Sequence, residues 1–243
     1  MHNAVCAQKL PNKQEVSVYA PAGIKTDGKA TEWNDTFQAY NRATEVSYTL
    51  ANDADNLYLV CQATEADVIQ KIVLGGITLT VSAIDKNSTI SPVTVTYPIV
   101  PWTSVQINYD LKPPAPLKDD AVSIINKKIN GQLKQIKVGG VKEFAEGTVP
   151  VYNDVGIITA QNVTKEKVYT SELTFPLKYI RQLINNNGTF NYGITVNGMD
   201  HSVKVVGGTN GFGAPTEQVV PRGMEYDMTP TYFNATYTLA LKP

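Results

Sequence analysis

The residues best suited to gripping a polar ligand fall in two loops. Arg222-Gly223-Met224-Glu225-Tyr226-Asp227 lies in a stretch rich in Gly and Pro that begins at Gly207. Arg222, Glu225 and Tyr226 all carry groups that hydrogen-bond hydroxyls. Trp102 follows Pro98-Ile99-Val100-Pro101, so a strand delivers its ring into a loop, with Tyr97 and Tyr109 beside it. A large ring with an apolar face can serve as a stacking platform, and loops on a rigid scaffold carry binding residues more often than strands do. Trp102, Tyr97, Tyr109, Arg222, Glu225 and Tyr226 therefore form the candidate ligand-binding set. The competing reading is structural: Trp102 closes one end of the fold or packs on a helix, and residues 222–227 form an ordinary polar surface loop.

Other chemistries find less support. Asp53, Asp55 and Asn56 supply oxygen ligands of the kind calcium takes, but the segment lacks the turn glycine and terminal bidentate glutamate of an EF-hand. Self-bonded Asx turns explain it better. Of the 2 histidines, His2 sits at the extreme N-terminus, which leaves His201 as the one around which a triad or zinc site would be built. Nucleophile-elbow and phosphate-loop patterns are missing. Paired glycosidase carboxylates come from distant positions and leave no local signature. With 2 cysteines, Cys6 and Cys61, there is no disulfide framework and no structural zinc set. Cys61, within Leu57-Tyr58-Leu59-Val60-Cys61, reads as a buried thiol. The expectation is a non-catalytic protein without a cofactor or metal.

The elements that must position these loops are strands. Val46, Tyr48 and Leu50 alternate with polar neighbours, turn formers occupy 52–56, and Leu57–Ala63 resumes the period, which describes a hairpin. Further strands are predicted at Ile77–Ile84, Val93–Val100, Val155–Gln161, Val168–Phe175, Phe190–Val196, His201–Val206 and Tyr232–Leu241, rich in Thr, Val, Ile and Tyr. An amphipathic helix is predicted from Leu117 to Ile136, behind the stiff Pro113-Pro114-Ala115-Pro116 and with Gly131 a break point. A short helix is predicted at Leu177–Leu183. The fold class is all-β, an antiparallel β-sandwich of jelly-roll type with one longer and one short peripheral helix. Residues 1–15 are expected to be a signal-peptide remnant or flexible leader, and 16–243 a single domain.

The chain of 243 residues carries 21 basic and 22 acidic residues, a net charge of −1, so no bulk field draws in nucleic acid or anionic lipid. No apolar run approaches the length of a bilayer span. Ala4-Val5-Cys6-Ala7-Gln8 has small residues placed as at the end of a signal peptide, with cleavage before Gln8. Export to the periplasm or cell surface is expected. Lipid attachment at Cys6 is the alternative, although Asn3-Ala4-Val5 departs from the usual lead-in.

Thr26-Asp27-Gly28-Lys29-Ala30-Thr31-Glu32-Trp33 resembles the opening motif of family-nine carbohydrate-binding modules and their DOMON-like relatives in bacterial surface proteins. In the same order, Val46–Ala63 resembles that group's first hairpin, Glu172-Leu173-Thr174-Phe175-Pro176-Leu177 its glutamate-to-proline strand ending, and Tyr237-Thr238-Leu239-Ala240 its closing strand. Lys71–Leu79 and Tyr152–Ile157 are similar to an uncharacterised envelope branch typical of Bacteroidetes. The resemblance implies a β-sandwich and a glycan ligand held between aromatic rings. Trp33, within the opening motif, is expected to pack beneath the first hairpin. With only 2 tryptophans in the chain, that leaves Trp102 as the exposed ring. The alternative is an envelope scaffold or protein-interaction domain that has lost sugar binding, its partner unknown.

Overall fold

A computed structural model describes residues 9–99, 116–144, 147–198, 226 and 229–243. Among the described residues, two six-stranded sheets face each other. The first contains β1 (Val18–Tyr19), β2 (Ala39–Asn41), β3 (Val46–Asn52), β4 (Asn56–Ala63), β9 (Ile158–Val163) and β10 (Tyr169–Pro176), in the order β1-β3-β4-β10-β9 with β2 also on β3. The second runs β12-β11-β5-β6-β7-β8, from β5 (Ile77–Ser82), β6 (Val93–Tyr97), β7 (Gln135–Gly139), β8 (Thr148–Pro150), β11 (Thr189–Val196) and β12 (Thr231–Thr238). Every pairing is antiparallel except the short β1–β3 contact. The all-β sandwich is therefore the fold.

The two sheets use sequence differently because one has two dry faces. In β5 and β6, Ile77, Leu79, Val81, Val93, Val95 and Tyr97 point into the core while Thr78, Thr80, Thr94 and Thr96 stay half-exposed, the clean alternation of a one-sided sheet. By contrast β10 is buried along its whole length. Its inward side chains meet the second sheet. Its outward ones lie under an N-terminal strap, where Ala20, Ala30 and Trp33 pack on Ala51, Tyr58 and Val60.

Between the sheets the core is stitched by buried tyrosine hydroxyls. Tyr48 and Tyr192 share a 2.9 Å hydrogen bond across the sandwich. Gln161 Nε2 donates to the Tyr97 hydroxyl at 3.2 Å, and Tyr169 donates to Gln161 Oε1 at 2.7 Å. The Tyr237 hydroxyl bonds Asn52 Oδ1 and Val18 O. Burying a ring gains apolar contact, but its hydroxyl must find a partner; Tyr48, Tyr97 and Tyr237 find theirs on the opposite sheet, and Tyr169 finds its own on the neighbouring strand β9.

The sheet edges differ from one another. On β9, Asn126 of α2 (Asp119–Gln132) donates to Val163 O and accepts from Val163 N–H, both at 2.8 Å, and Asn130 donates to Gln161 O. The amides stand in for a neighbouring strand. β8 is 3 residues long and ends on Pro150. The outer edge of β3 is covered by β1 and β2. β12, at the last edge, runs for 8 residues as Thr-Tyr-Phe-Asn-Ala-Thr-Tyr-Thr.

Several expectations need correction. The predicted leader is too long: Gln14 is buried, its side chain bonds Leu50 N and O, and its N–H reaches the Tyr48 hydroxyl. Pro11 and Asn12 also bond β2 and the turn after it. The helix predicted to Ile136 stops at Gln132, and Ile136 instead enters β7, because Leu133 leaves the helical backbone region. A further helix, α1 (Ala66–Gly75), was not anticipated. The short helix at 177–183 is two 3-10 turns. The predicted strand His201–Val206 lies outside the described residues.

Candidate functional site

Of the candidate binding residues, Trp102, Tyr109, Arg222 and Glu225 lie outside the described residues, as do His201 and Cys6. The other two sit far apart in role. Tyr97 is 6% exposed and belongs to the core, since the period that starts at Val93 carries it inward with Val95. It is not an open stacking ring. Burial pushes its hydroxyl up to about 12, against the hydrogen bonds that pull it down. Beside it lies a cavity of about 20 Å³ lined by Leu59, Cys61, Leu79, Val95 and Leu173, room for a water and not for a sugar.

Tyr226 is 39% exposed, and both its ends are held. Its hydroxyl donates to Glu45 Oε2 at 2.8 Å, and the Lys71 ammonium sits 4.7 Å from its ring centroid. Lys71 is fully buried on α1 and donates to Thr231 Oγ1 at 3.2 Å. Glu45 precedes β3 in the left-handed region, at φ 56°, where a non-glycine residue is uncommon. Buried Asn41 fixes that turn, since its Oδ1 accepts from Ala43 N–H and Thr44 N–H. Tyr40, 37% exposed on β2, faces the same carboxylates: burial first, then the charges of Glu45 and Glu65, raise its hydroxyl above the ordinary value. The result is two part-exposed phenols and a carboxylate at the surface, with the buried Lys71 ammonium against the Tyr226 ring. Such a set can stack an apolar ring face and hydrogen-bond hydroxyls. Sequence reasoning missed Glu45, Tyr40 and Lys71 because nothing local marks them: Glu45 is 181 positions from Tyr226.

The opening motif has a structural explanation. Glu172 Oε2 accepts from Asp27 N–H at 2.9 Å and Gly28 N–H at 2.8 Å, and Oε1 accepts from Trp33 Nε1 at 3.1 Å. One buried carboxylate thus ties the Asp-Gly turn and the indole to the centre of the first sheet. Gly28 has φ +84°, and a Cβ there would stand 2.7 Å from the Gln161 carbonyl carbon. Burial raises the Glu172 carboxyl above its ordinary value, outweighing the donors that lower it. Trp33 is buried against the hairpin, as expected.

The 53–56 turn is closed by its own groups. Asp53 Oδ1 accepts from Asp55 N–H and Asn56 N–H, and Oδ2 accepts from the Tyr58 hydroxyl at 2.6 Å. Burial works against ionisation of Asp53, but the hydrogen bonds together win and hold it below the usual range. This is the Asx turn of the sequence reading.

No family profile and no curated protein matches the chain. Among solved structures, a family 9 carbohydrate-binding module from Caldicellulosiruptor kristjanssonii in complex with glucose is similar over 77% of this chain and 80% of that one, at 10% identity and a TM-score of 0.36. A likeness that loose carries no argument, and the fold assignment rests on the strand pairing itself. Among the described residues, no helix is long and apolar enough to cross a membrane.

Proposed function

We propose that this chain is an exported, non-catalytic carbohydrate-binding module, a distant member of the family-nine group and of its envelope branch, that recognises glycan ends through the Tyr226 cluster. The observation that carries the reading is the pinned, part-exposed Tyr226 ring, held at its face by Lys71 and at its tip by Glu45. A ring already fixed loses little freedom when a ligand stacks on it, so more of the contact energy appears as affinity. Trp102, Tyr109, Arg222 and Glu225, which lie outside the described residues, complete the proposed ligand-binding set.

An array of reducing-end sugars and common polysaccharides, followed by calorimetry on the best ligand, tests this. Tyr226→Ala is expected to weaken binding at least tenfold while the protein still melts cooperatively, and Glu45→Gln to weaken it less. Absence of binding across the array defeats the proposal. The alternative, an envelope scaffold without sugar binding, is favoured by the burial of Trp33, Tyr97, Tyr192 and Tyr237, which takes those rings out of reach of a sugar. A protein partner recovered from the native envelope, with no glycan bound, would support it.

A further inference from the structure

Among the described residues, three of the four sheet edges are blunted. β9 is capped by the Asn126 and Asn130 amides, β8 is short and ends on proline, and β3 is covered by β1 and β2. Long unprotected edges invite pairing with another strand, and proteins usually block them with charge, proline, bulges or brevity. β12 has none of these, and the Asn52 amide, which donates to Ala240 O at 3.1 Å and accepts from Ala240 N–H at 2.7 Å, caps the chain only beyond the strand's end. The strand is 8 residues of Thr, Tyr, Phe, Asn and Ala, without charge, proline or glycine. Among the described residues no strand adds to its outer side.

The register shows which backbone groups that edge presents. β12 pairs with β11 so that Thr238 opposes Thr189 and Thr231 opposes Val196. Leu239 N–H bonds Gly188 O at 2.9 Å in the same register. Hydrogen-bonded pairs alternate along an antiparallel ladder. The odd-numbered residues therefore spend their N–H and C=O groups on β11, and those of Tyr232, Asn234, Thr236 and Thr238 point outward.

We infer that the β12 edge is a self-association surface, on which a second copy of this chain adds its own β12 antiparallel about a twofold axis through Ala235. That axis sets Asn234 opposite Thr236 of the second copy and Tyr232 opposite its Thr238. Both are hydrogen-bonded pairs, and they satisfy every outward N–H and C=O of the four residues. An axis through Asn234 or Thr236 leaves Thr238 or Tyr232 without a partner within β12. The two Ala235 residues then meet as a non-hydrogen-bonded pair, the closer of the two pair types, where a small side chain fits. No like charges face each other, and the outer-face pairs are polar on both sides. The two six-stranded sheets become one of twelve.

Sedimentation equilibrium over a range from low to several hundred micromolar is the test. Wild type is expected to dimerise. Asn234→Lys combined with Thr236→Lys sets like charges opposite each other and is expected to weaken the dimer at least tenfold, and Asn234→Glu with Thr236→Glu to do the same. Mixing the two variants is expected to restore a heterodimer. In a Cys6→Ser background, Ala235→Cys is expected to cross-link on oxidation, because a non-hydrogen-bonded pair brings the Cα atoms within disulfide reach. A wild type that stays monomeric throughout overturns the inference. So does a dimer indifferent to both charged variants, or one in which Ala235→Cys gives no cross-link while dimerisation persists. Occupation of the edge by a different protein's strand, with no self-association, overturns it equally.

Discussion

The Glu172 carboxylate can be tested as a three-way clasp. Replacing it with Ala leaves the Asp27 and Gly28 N–H groups and the Trp33 indole N–H without their acceptor. A buried donor stripped of its partner costs about 1–3 kcal/mol. Asp27 lies in a part-buried turn where water can substitute, so the loss is expected near the lower end for that group, and about 3–5 kcal/mol for the whole substitution by the same reasoning. Glu172→Gln separates the donors. Its single carbonyl oxygen can serve the two backbone N–H groups, but its amide then faces the indole with donor against donor. About 1–3 kcal/mol is expected. In a Trp33→Phe background that conflict is gone, so the added cost of Glu172→Gln should fall below about 1 kcal/mol, a coupling typical of residues in direct contact. Urea denaturation of the four proteins of the cycle gives the numbers. An equal cost of Glu172→Gln in both backgrounds would refute the indole bond as a source of stability. The pH dependence supplies a second readout. The native Glu172 pKa is raised, so the unfolded chain ionises first as pH rises. Its contribution is full below the unfolded value and is lost as pH climbs through the native one; Glu172→Gln should remove that decline.

Asp53 has the opposite sign: its native pKa is lowered, so its contribution is present above the unfolded value and disappears as pH falls through the native one. Asp53→Asn should flatten the acid limb of the stability curve, and because the group is largely solvated the change should stay within about 1 kcal/mol. Gly28→Ala combines a left-handed backbone with a Cβ 2.7 Å from the Gln161 carbonyl carbon, and thermal melts should show a loss of about 2 kcal/mol or more, above the usual glycine penalty. In a Cys6→Ser background, Cys61, buried and pushed up to about 12 by desolvation, should react with thiol reagents at pH 8 only at the rate at which the sandwich opens; rapid labelling of the native protein would contradict its burial.

Strand positions were legible where one face stays wet. In β5 and β6, threonines alternate with Ile, Leu and Val, and the period reads directly. The β3–β4 turn was legible because Asp53 solves its hydrogen bonding within four residues. α1 was not, because its buried Val68, Ile69, Ile72 and Val73 are β-branched and sit among strand-like neighbours. The last turn expected of α2 went instead to β7, since Gln135, Ile136, Lys137 and Val138 satisfy a two-residue period as well as a helical one. Tyr97 falls in the predicted strand Val93–Val100 and counts among the candidate binding residues as a ring beside Trp102, although counting by twos from Val93 already places it inside. The surface cluster around Tyr226 had no sequence signal, because Glu45, Lys71 and Tyr226 come from three separate parts of the chain.

The strap on the first sheet also fixes an order of events. Asp27 waits for Glu172, 145 positions downstream, and Val18 for Tyr237, 219 positions downstream. A ribosome delivers about 5–20 residues per second, so the strap emerges roughly 7–30 s before Glu172 exists, and the wait for Tyr237 is longer still. During that interval Ala51, Tyr58 and Val60, which the strap will cover, have no finished lid. A segment made well before its partners is among the last to be fastened, and any shielding of that face during synthesis must come from elsewhere.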